Sequence, residues 1–352
     1  MRICIVYRDA LQPGGYPRDV RWLSGALAGQ GLDVHLIARQ GASLDGLGTA
    51  QPVPFEDGRQ VVEDADIIHL VGLLIPEQFR FLPTGDRGRL VISPLAQLMP
   101  EHLRRGRWKK LPYLAYVRAR LRGHGPGYHL FSEQELSGVR RLMPHGPRFE
   151  APLGLFPAPD AVGDRMIDEP YLLFFGRNDV RQKGIDRLLE GYAAAIGKGL
   201  SLPLVIAGAP HDDSAAFIAR YLHGSSLGSR VRVLGSVDES EKWRLLRHAE
   251  ALVFLSRWDG PPRPVREALA VGTPVIVSSG TNMGSLVDEA GAGAWVRSSR
   301  PDAVASALFA ISPNRERWRQ GVHKLRSRLD WDSVSLDFVR GYERVIAGWV
   351  RA

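Results

Sequence analysis

Strand-length apolar runs alternate with amphipathic stretches along this chain, and the alternation is played through twice. The first series is RICIVY, DVHLIA, ADIIHLVG, RLVISPL and GYHLFS; the second is YLLFFG, LPLVIAG, RVRVLG, ALVFLS, TPVIVSS and AWV. Between these runs, RDVRWLSGALAGQG sets Val20, Leu23, Leu27 and Ala28 on one helical face. GIDRLLEGYAAAIG, SAAFIARYLHG and SEKWRLLRHAE are further helical candidates. Strands that alternate with helices form a parallel sheet covered on both faces. One proline-rich stretch without periodicity, LGLFPAPDAVGDRMIDEP, interrupts the pattern and reads as a linker. A chain of 352 residues also exceeds one ordinary core. The expected fold is α/β, with two doubly wound, Rossmann-like domains facing a central cleft, over residues 1–160 and 168–330. The stretch 331–352, ending in an amphipathic helix, is expected to pack back on the first domain.

Such sheets bind ligands beyond the carboxyl ends of their strands, so functional residues are sought there. Hydrophobic content of 44% and charged content of 24% are those of a soluble globular protein, and the net charge of +8 favours an anionic partner. The single cysteine, Cys4, excludes a disulfide framework. No run of about eighteen apolar residues is present, so no spanning helix is expected. The first residues enter a strand directly, which leaves no room for a signal peptide. A cytoplasmic protein is expected, acting in solution or peripherally at the inner face of the membrane.

In YLLFFGRNDVRQKGIDRLLEGY a buried strand ends at Gly176, Arg177 and Lys183 flank a polar loop, and Gly184 opens a helix. Helix-start N–H groups beside a planar guanidinium and a mobile ammonium suit a diphosphate. Both cations read equally as solvated surface residues. SRWDGPPRPVREALAVGTPVIV sets Asp259 at a strand's carboxyl edge and Glu267 inside the following helix, with more acids and prolines than a connection needs. In SSGTNMGSLVDEAG, Thr281 or Asn282 is placed to cap a helix or to face a phosphate. Gly14 and Gly15, in PGGYPRDV, allow close backbone approach after the first strand. The G-x-G-x-x-G spacing of a dinucleotide site is absent, which disfavours a nicotinamide enzyme.

Together these residues resemble the retaining, nucleotide-sugar-dependent glycosyltransferases of group 1, which have the GT-B fold. The resemblance rests on Gly176-Arg177, Lys183-Gly184, and Asp259, Glu267, Ala268, Gly272, Pro274 and Val275 in the family's order. It implies a hexosyltransferase-type enzyme that takes a nucleotide diphosphate sugar as donor substrate and needs no metal or other cofactor. Arg177 and Lys183 would hold the donor diphosphate, and Glu267 the ribose hydroxyls. Asp259, where the commoner residue is Glu, would touch the sugar, while Gly260 and its neighbours supply amides and Gly15 admits the diphosphate. Many relatives carry a histidine where this chain has Leu95, so no catalytic histidine is assigned there. A retaining transfer needs no protein base if the departing phosphate takes the acceptor's proton. His69 reads either as a cleft residue, at the acceptor or active site, or as a satisfied core histidine. Two alternatives stay open: a GT-B nucleotide-sugar epimerase, and a catalytically silent sugar-nucleotide-binding subunit.

The stretch from Arg104 to Arg122 and on to Gly125, RRGRWKKLPYLAYVRARLRGHG, holds eight cations and no acid, interleaved with Trp108, Leu111, Tyr113 and Tyr116. It reads as a surface for anionic lipid headgroups, as a groove for a glycan, lipid-linked or small-molecule acceptor, or as a solvated basic helix face. No nucleic-acid motif accompanies it. The D-x-D pairs Asp64/Asp66 and Asp330/Asp332 sit at element junctions and read as caps, so no metal site is expected.

Overall fold

Among the described residues, seven strands lie side by side in the first of two sheets. They are β1 (Arg2–Val6), β2 (Asp33–Ala38), β3 (Gln51–Pro54), β4 (Ile67–Val71), β5 (Leu90–Ser93), β6 (Gly127–Leu130) and β7 (Arg148–Glu150). Their order is β3-β2-β1-β4-β5-β6-β7, and every pairing is parallel. The second sheet holds β8 (Leu172–Phe175), β9 (Leu204–Ala207), β10 (Val231–Gly235), β11 (Ala251–Phe254), β12 (Val275–Ser278) and β13 (Gly293–Val296). It runs β10-β9-β8-β11-β12-β13, again parallel throughout. Central strands such as β4 (IIHLV) and β11 (ALVF) are buried at every position, as helices on both faces require. Each fully buried Val, Leu, Ile or Phe contributes about 1.5–3 kcal/mol to holding such layers together.

This computed structural model describes residues 1–83, 89–104, 106–225 and 227–350. The chain divides into unit 1, Met1–Gly154 with Leu329–Ala352, and unit 2, Leu155–Arg328. The proline-rich stretch carries no helix or strand from 155 to 170 and belongs to unit 2. There Phe156 lies under the guanidiniums of Arg266 and Arg263, at 5.0 and 6.0 Å from its ring centre.

The helix Trp331–Val350 belongs to unit 1. Phe149 of β7 lies so close to Gly341 that a Cβ there would sit 2.2 Å from the ring. Trp331 lies against Trp22 of the helix Gly15–Gly29, ring centres 6.2 Å apart and planes tilted by 33°.

Both sheets have one place where the strand order reverses, between β1 and β4 in unit 1 and between β8 and β11 in unit 2. Loops leaving neighbouring strands there diverge to opposite faces and open a crevice at the carboxyl edge. The Gly14-Gly15 loop follows β1, Gly176 and Arg177 follow β8, and Asp259 follows β11.

Candidate functional site

At the reversal in unit 2, backbone crowding fixes the loops before any side chain acts. A Cβ on Gly208, after β9, would fall 1.9 Å from the Gly176 carbonyl oxygen. Gly184 takes a left-handed φ of 71°, and a Cβ there would meet the Leu255 oxygen at 2.1 Å. Between these points Asp179 caps the short helix Val180–Lys183, its Oδ1 accepting the Gln182 N–H at 2.8 Å. That turn carries Lys183 to the loop beyond β11, where its Nζ donates to Asp259 Oδ2 at 2.5 Å.

Asp259 is held from several sides. Its N–H donates to the Gly280 carbonyl at 2.7 Å, and Asn282 Nδ2 donates to its carbonyl at 2.6 Å. Ser256 Oγ lies 3.4 Å from its Oδ2. Burial raises the Asp259 pKa, and the Lys183 charge and hydrogen bond oppose the rise. Arg177 stays half exposed, its Nη2 2.9 Å from Gln182 Oε1 and 3.8 Å from Asp179. Lys183 and Asp259 thus meet on one strand edge, with Arg177 on the same β8 loop.

Glu267 lies in the helix Arg263–Ala270 and is 2% exposed. Its Oε1 accepts from Lys242 Nζ at 2.9 Å and from Arg263 Nε at 2.8 Å. Lys242 also donates to Glu239 at 2.6 Å, and Trp243 Nε1 donates to the same Glu239 oxygen at 3.0 Å. Sequence reasoning missed Lys242 and Glu239. Arg263, four residues before Glu267 on one helix, was visible as an i,i+4 pair.

Several expectations are corrected. The residues after Gly260 are Pro261 and Pro262, which have no N–H, so the next amide along the turn belongs to Arg263. Neither Thr281 nor Asn282 caps the helix Gly284–Ala290, whose N-cap is Met283. Thr281 is fully buried and donates to the Ser278 carbonyl at 2.8 Å, and Asn282, at φ 56°, turns its amide onto Asp259. The Ser279–Thr281 turn therefore braces the acid.

In unit 1, Gly14 has a φ of 150° and precedes the helix Gly15–Gly29, which no side chain caps. A Cβ on Gly15 would meet nothing within 4 Å. Beyond β5, Leu95 and Ala96 both take left-handed φ values, 55° and 58°. Such backbone costs about 1–3 kcal/mol per residue and persists only when its surroundings enforce it. Buried Glu135 does so, one oxygen accepting the Ala96 N–H and the other the Phe131 N–H at 2.8 Å. Burial pushes the Glu135 carboxyl up to about 7, against those two hydrogen bonds.

His69 is a core residue, 1% exposed in the middle of β4, and does not reach the sheet's edge. His129 Nε2 lies 3.0 Å from the Ala151 carbonyl, which only accepts, so that nitrogen carries the proton. Nδ1 of His129 must then accept from Ser93 Oγ at 2.6 Å, and Ser93 in turn accepts from His69 Nε2 at 2.6 Å. His69 Nδ1 is left to accept from the Tyr342 hydroxyl at 2.9 Å. One carbonyl thus sets the direction of four bonds and the tautomers of two neutral imidazoles. Burial holds His69 well below the usual histidine range and His129 down to about 4.

The basic stretch folds as the helix Arg107–Leu121, with Leu114, Val117 and Leu121 buried. Trp108 is 72% exposed, with Tyr116 and Leu111 also exposed, while Tyr113 bonds the Leu73 carbonyl at 3.2 Å. Arg105 lies outside the described residues. Asp66 accepts the Arg2 N–H at 2.7 Å, and Asp330 caps the last helix by accepting the Ser333 N–H at 2.8 Å. Among the described residues no three His, Cys, Asp or Glu side chains gather as a metal site, and no helix is long and apolar enough to cross a membrane.

Two parallel sheets with these strand orders are the architecture of the GT-B class. Sucrose-phosphate synthase from Thermosynechococcus elongatus, one solved structure of that fold, superposes with a TM-score of 0.66 over 98% of this chain and 99% of its own, at 20% identity. Residues 164–324 match the family of glycosyl transferases group 1. Phosphatidyl-myo-inositol mannosyltransferase of Mycobacterium leprae is 27% identical over 209 residues, 58% of this chain and 53% of that protein. GDP-mannose:cellobiosyl-diphosphopolyprenol alpha-mannosyltransferase of Xanthomonas campestris is 26% identical over 179 residues, 50% of this chain and 47% of that one. The chain spans about half the length of such curated relatives.

Proposed function

We propose that this protein is a retaining glycosyltransferase that moves a sugar from a nucleotide diphosphate sugar to an acceptor hydroxyl, in the synthesis of a bacterial polysaccharide, glycolipid or natural-product glycoside. The observation that carries the proposal is the meeting of Lys183 and Asp259, beside Arg177, at the strand-order reversal of unit 2. An ammonium has three N–H donors, and Asp259 uses one, leaving two for a diphosphate. As the bond from the sugar carbon to the diphosphate breaks, negative charge grows on the leaving oxygens, and Arg177 and Lys183 stabilise it. The departing phosphate takes the proton of the acceptor hydroxyl while the new bond forms on the face it leaves. This route needs neither a protein base nor a metal ion. Glu267 Oε2, free of the two cations bonded to Oε1, accepts from the ribose hydroxyls. The acceptor falls to unit 1.

Both curated relatives are named for mannosyl transfer, which makes GDP-mannose the first donor to try. One is named for a diphosphopolyprenol acceptor and the other for a phosphatidylinositol. Those names and the exposed basic, aromatic helix support a lipid-linked acceptor and a peripheral place on the cytoplasmic membrane face.

The test is release of nucleoside diphosphate from GDP-mannose or UDP-glucose in the presence of lipid-linked and free glycan acceptors. Arg177→Ala and Lys183→Ala are each expected to lower release about 100- to 1,000-fold. Release unchanged in both variants would overturn the site. An epimerised donor would point to an epimerase, and donor binding without consumption to a silent sugar-nucleotide-binding subunit.

A further inference from the structure

Unit 2 has a second basic concavity, at the opposite edge of its sheet from Asp259. It encloses about 360 Å³ and is lined by Arg165, Arg247, His248, Gly272, Thr273 and Arg319, with no carboxylate among the lining residues. These side chains come from four separate segments. Arg165 precedes β8, and Arg247 and His248 end the helix Glu239–His248. Gly272 and Thr273 precede β12, and Arg319 lies on the helix Ile311–Arg328. A volume of this size falls in the range of small-molecule sites, roughly 300–1,000 Å³.

Many arginines elsewhere in the protein are paired with acids, as in Arg2–Asp33, Arg257–Asp186 and Arg297–Asp288. Those here are not. Arg247 Nη1 donates to the Val271 carbonyl at 2.5 Å, Arg165 Nη1 to the Asp168 carbonyl at 3.4 Å, and His248 Nε2 to the Gly163 carbonyl at 3.1 Å. Arg319 is exposed, and among the described residues none of the three arginines forms an ion pair. Carbonyl bonds orient a guanidinium without cancelling its charge. Two helices also end at this edge, and their carbonyls would repel an anion. Arg247 covers one such carbonyl, at Val271, which removes part of that repulsion. Gly272, at a left-handed φ of 89°, keeps the wall open, since a Cβ there would press on Arg247 Nη1 at 3.4 Å.

We propose that this concavity binds a soluble, phosphate-bearing small molecule at a site separate from the donor diphosphate. Planar guanidiniums converging from different elements match phosphate oxygens in several directions at once. A recessed site suits a small molecule and not a flat membrane surface. The inference stands independently of the glycosyl-transfer reading, because it uses none of the residues at the Asp259 edge.

The probe is inorganic pyrophosphate, titrated calorimetrically into the Arg177→Ala/Lys183→Ala protein, whose donor-diphosphate cations are gone. Binding is expected to persist there, to weaken as salt rises, and to fall at least tenfold when Arg165→Ala and Arg319→Ala are added. The Arg165→Ala/Arg319→Ala pair in the otherwise native protein is expected to bind GDP as the wild type does. Both residues are exposed, so the folded state survives the change. Pyrophosphate binding that vanishes with Arg177 and Lys183, or that is indifferent to Arg165 and Arg319, would overturn the proposal.

Discussion

At the scale of single residues, the charges around Glu267 decide more than its own carboxylate. Lys242 and Glu267 are both buried, and one glutamate oxygen serves two cations. Removing one partner of a buried pair leaves an uncompensated charge, at a cost of about 3–5 kcal/mol. Glu267→Ala is therefore expected to lower stability by that order. Glu267→Gln, which keeps an oxygen acceptor for Lys242 and Arg263, should cost clearly less while still impairing donor use. Urea unfolding midpoints read the first effect and donor titration the second; an alanine variant as stable as wild type would refute the burial argument. The acids at 259 and 267 could be picked out from the sequence because spacing and prolines mark them. The bond from Lys183 to Asp259 could not, since it joins positions 76 apart and depends on β8 lying beside β11. Lys242 was hidden for the same reason, looking like an ordinary helix-surface lysine until the helix Arg263–Ala270 was set against it.

At the scale of elements, the helix Arg107–Leu121 shows an apolar side turned outward. Leu114, Val117 and Leu121 pack inward, while Trp108, Leu111 and Tyr116 remain exposed among the cations. Each cation near an anionic bilayer contributes about 1 kcal/mol, and the aromatic rings suit the headgroup layer. The protein should co-sediment with vesicles containing phosphatidylglycerol and not with pure phosphatidylcholine. Trp108→Ser/Leu111→Ser should weaken that binding severalfold; equal binding to both vesicle types would sink the reading. Most strands could be read in advance because long apolar runs buried on both faces leave little choice. β3 and β7 escaped notice. β3 is four residues at a sheet edge with two prolines, and β7 is three residues with charged ends. Edge strands bury one side or less, so their pattern fades into that of loops.

For the whole molecule, the last helix matters most, because it returns from unit 2 to complete unit 1. Tyr342 on that helix donates to His69, and through Ser93 and His129 the bond chain ends on Ala151. Burial lowers both imidazole pKa values, to about 4 for His129. Folded pKa values below the unfolded one mean that this contribution is complete above pH ~6.5 and is lost as pH falls towards about 4. Glu135, raised to about 7 by burial, acts in the opposite sense, favouring the folded state more at low pH. Comparing wild type with His69→Asn/His129→Asn separates the two, since Glu135 is common to both. The difference in unfolding free energy should narrow from pH 7 to pH 4, and a constant difference would refute the assignment of neutral imidazoles.

The same return of the chain has a consequence for biosynthesis. Unit 2 is one continuous segment, Leu155–Arg328, whereas unit 1 is finished only by residues after Leu329. On the ribosome, the seven-stranded sheet emerges first yet waits longest, with Phe149 and the β6 face uncovered until the entire second unit has been made. The early sheet's flank is thereby covered last, and an apolar face left bare during synthesis is the kind of surface that invites aggregation.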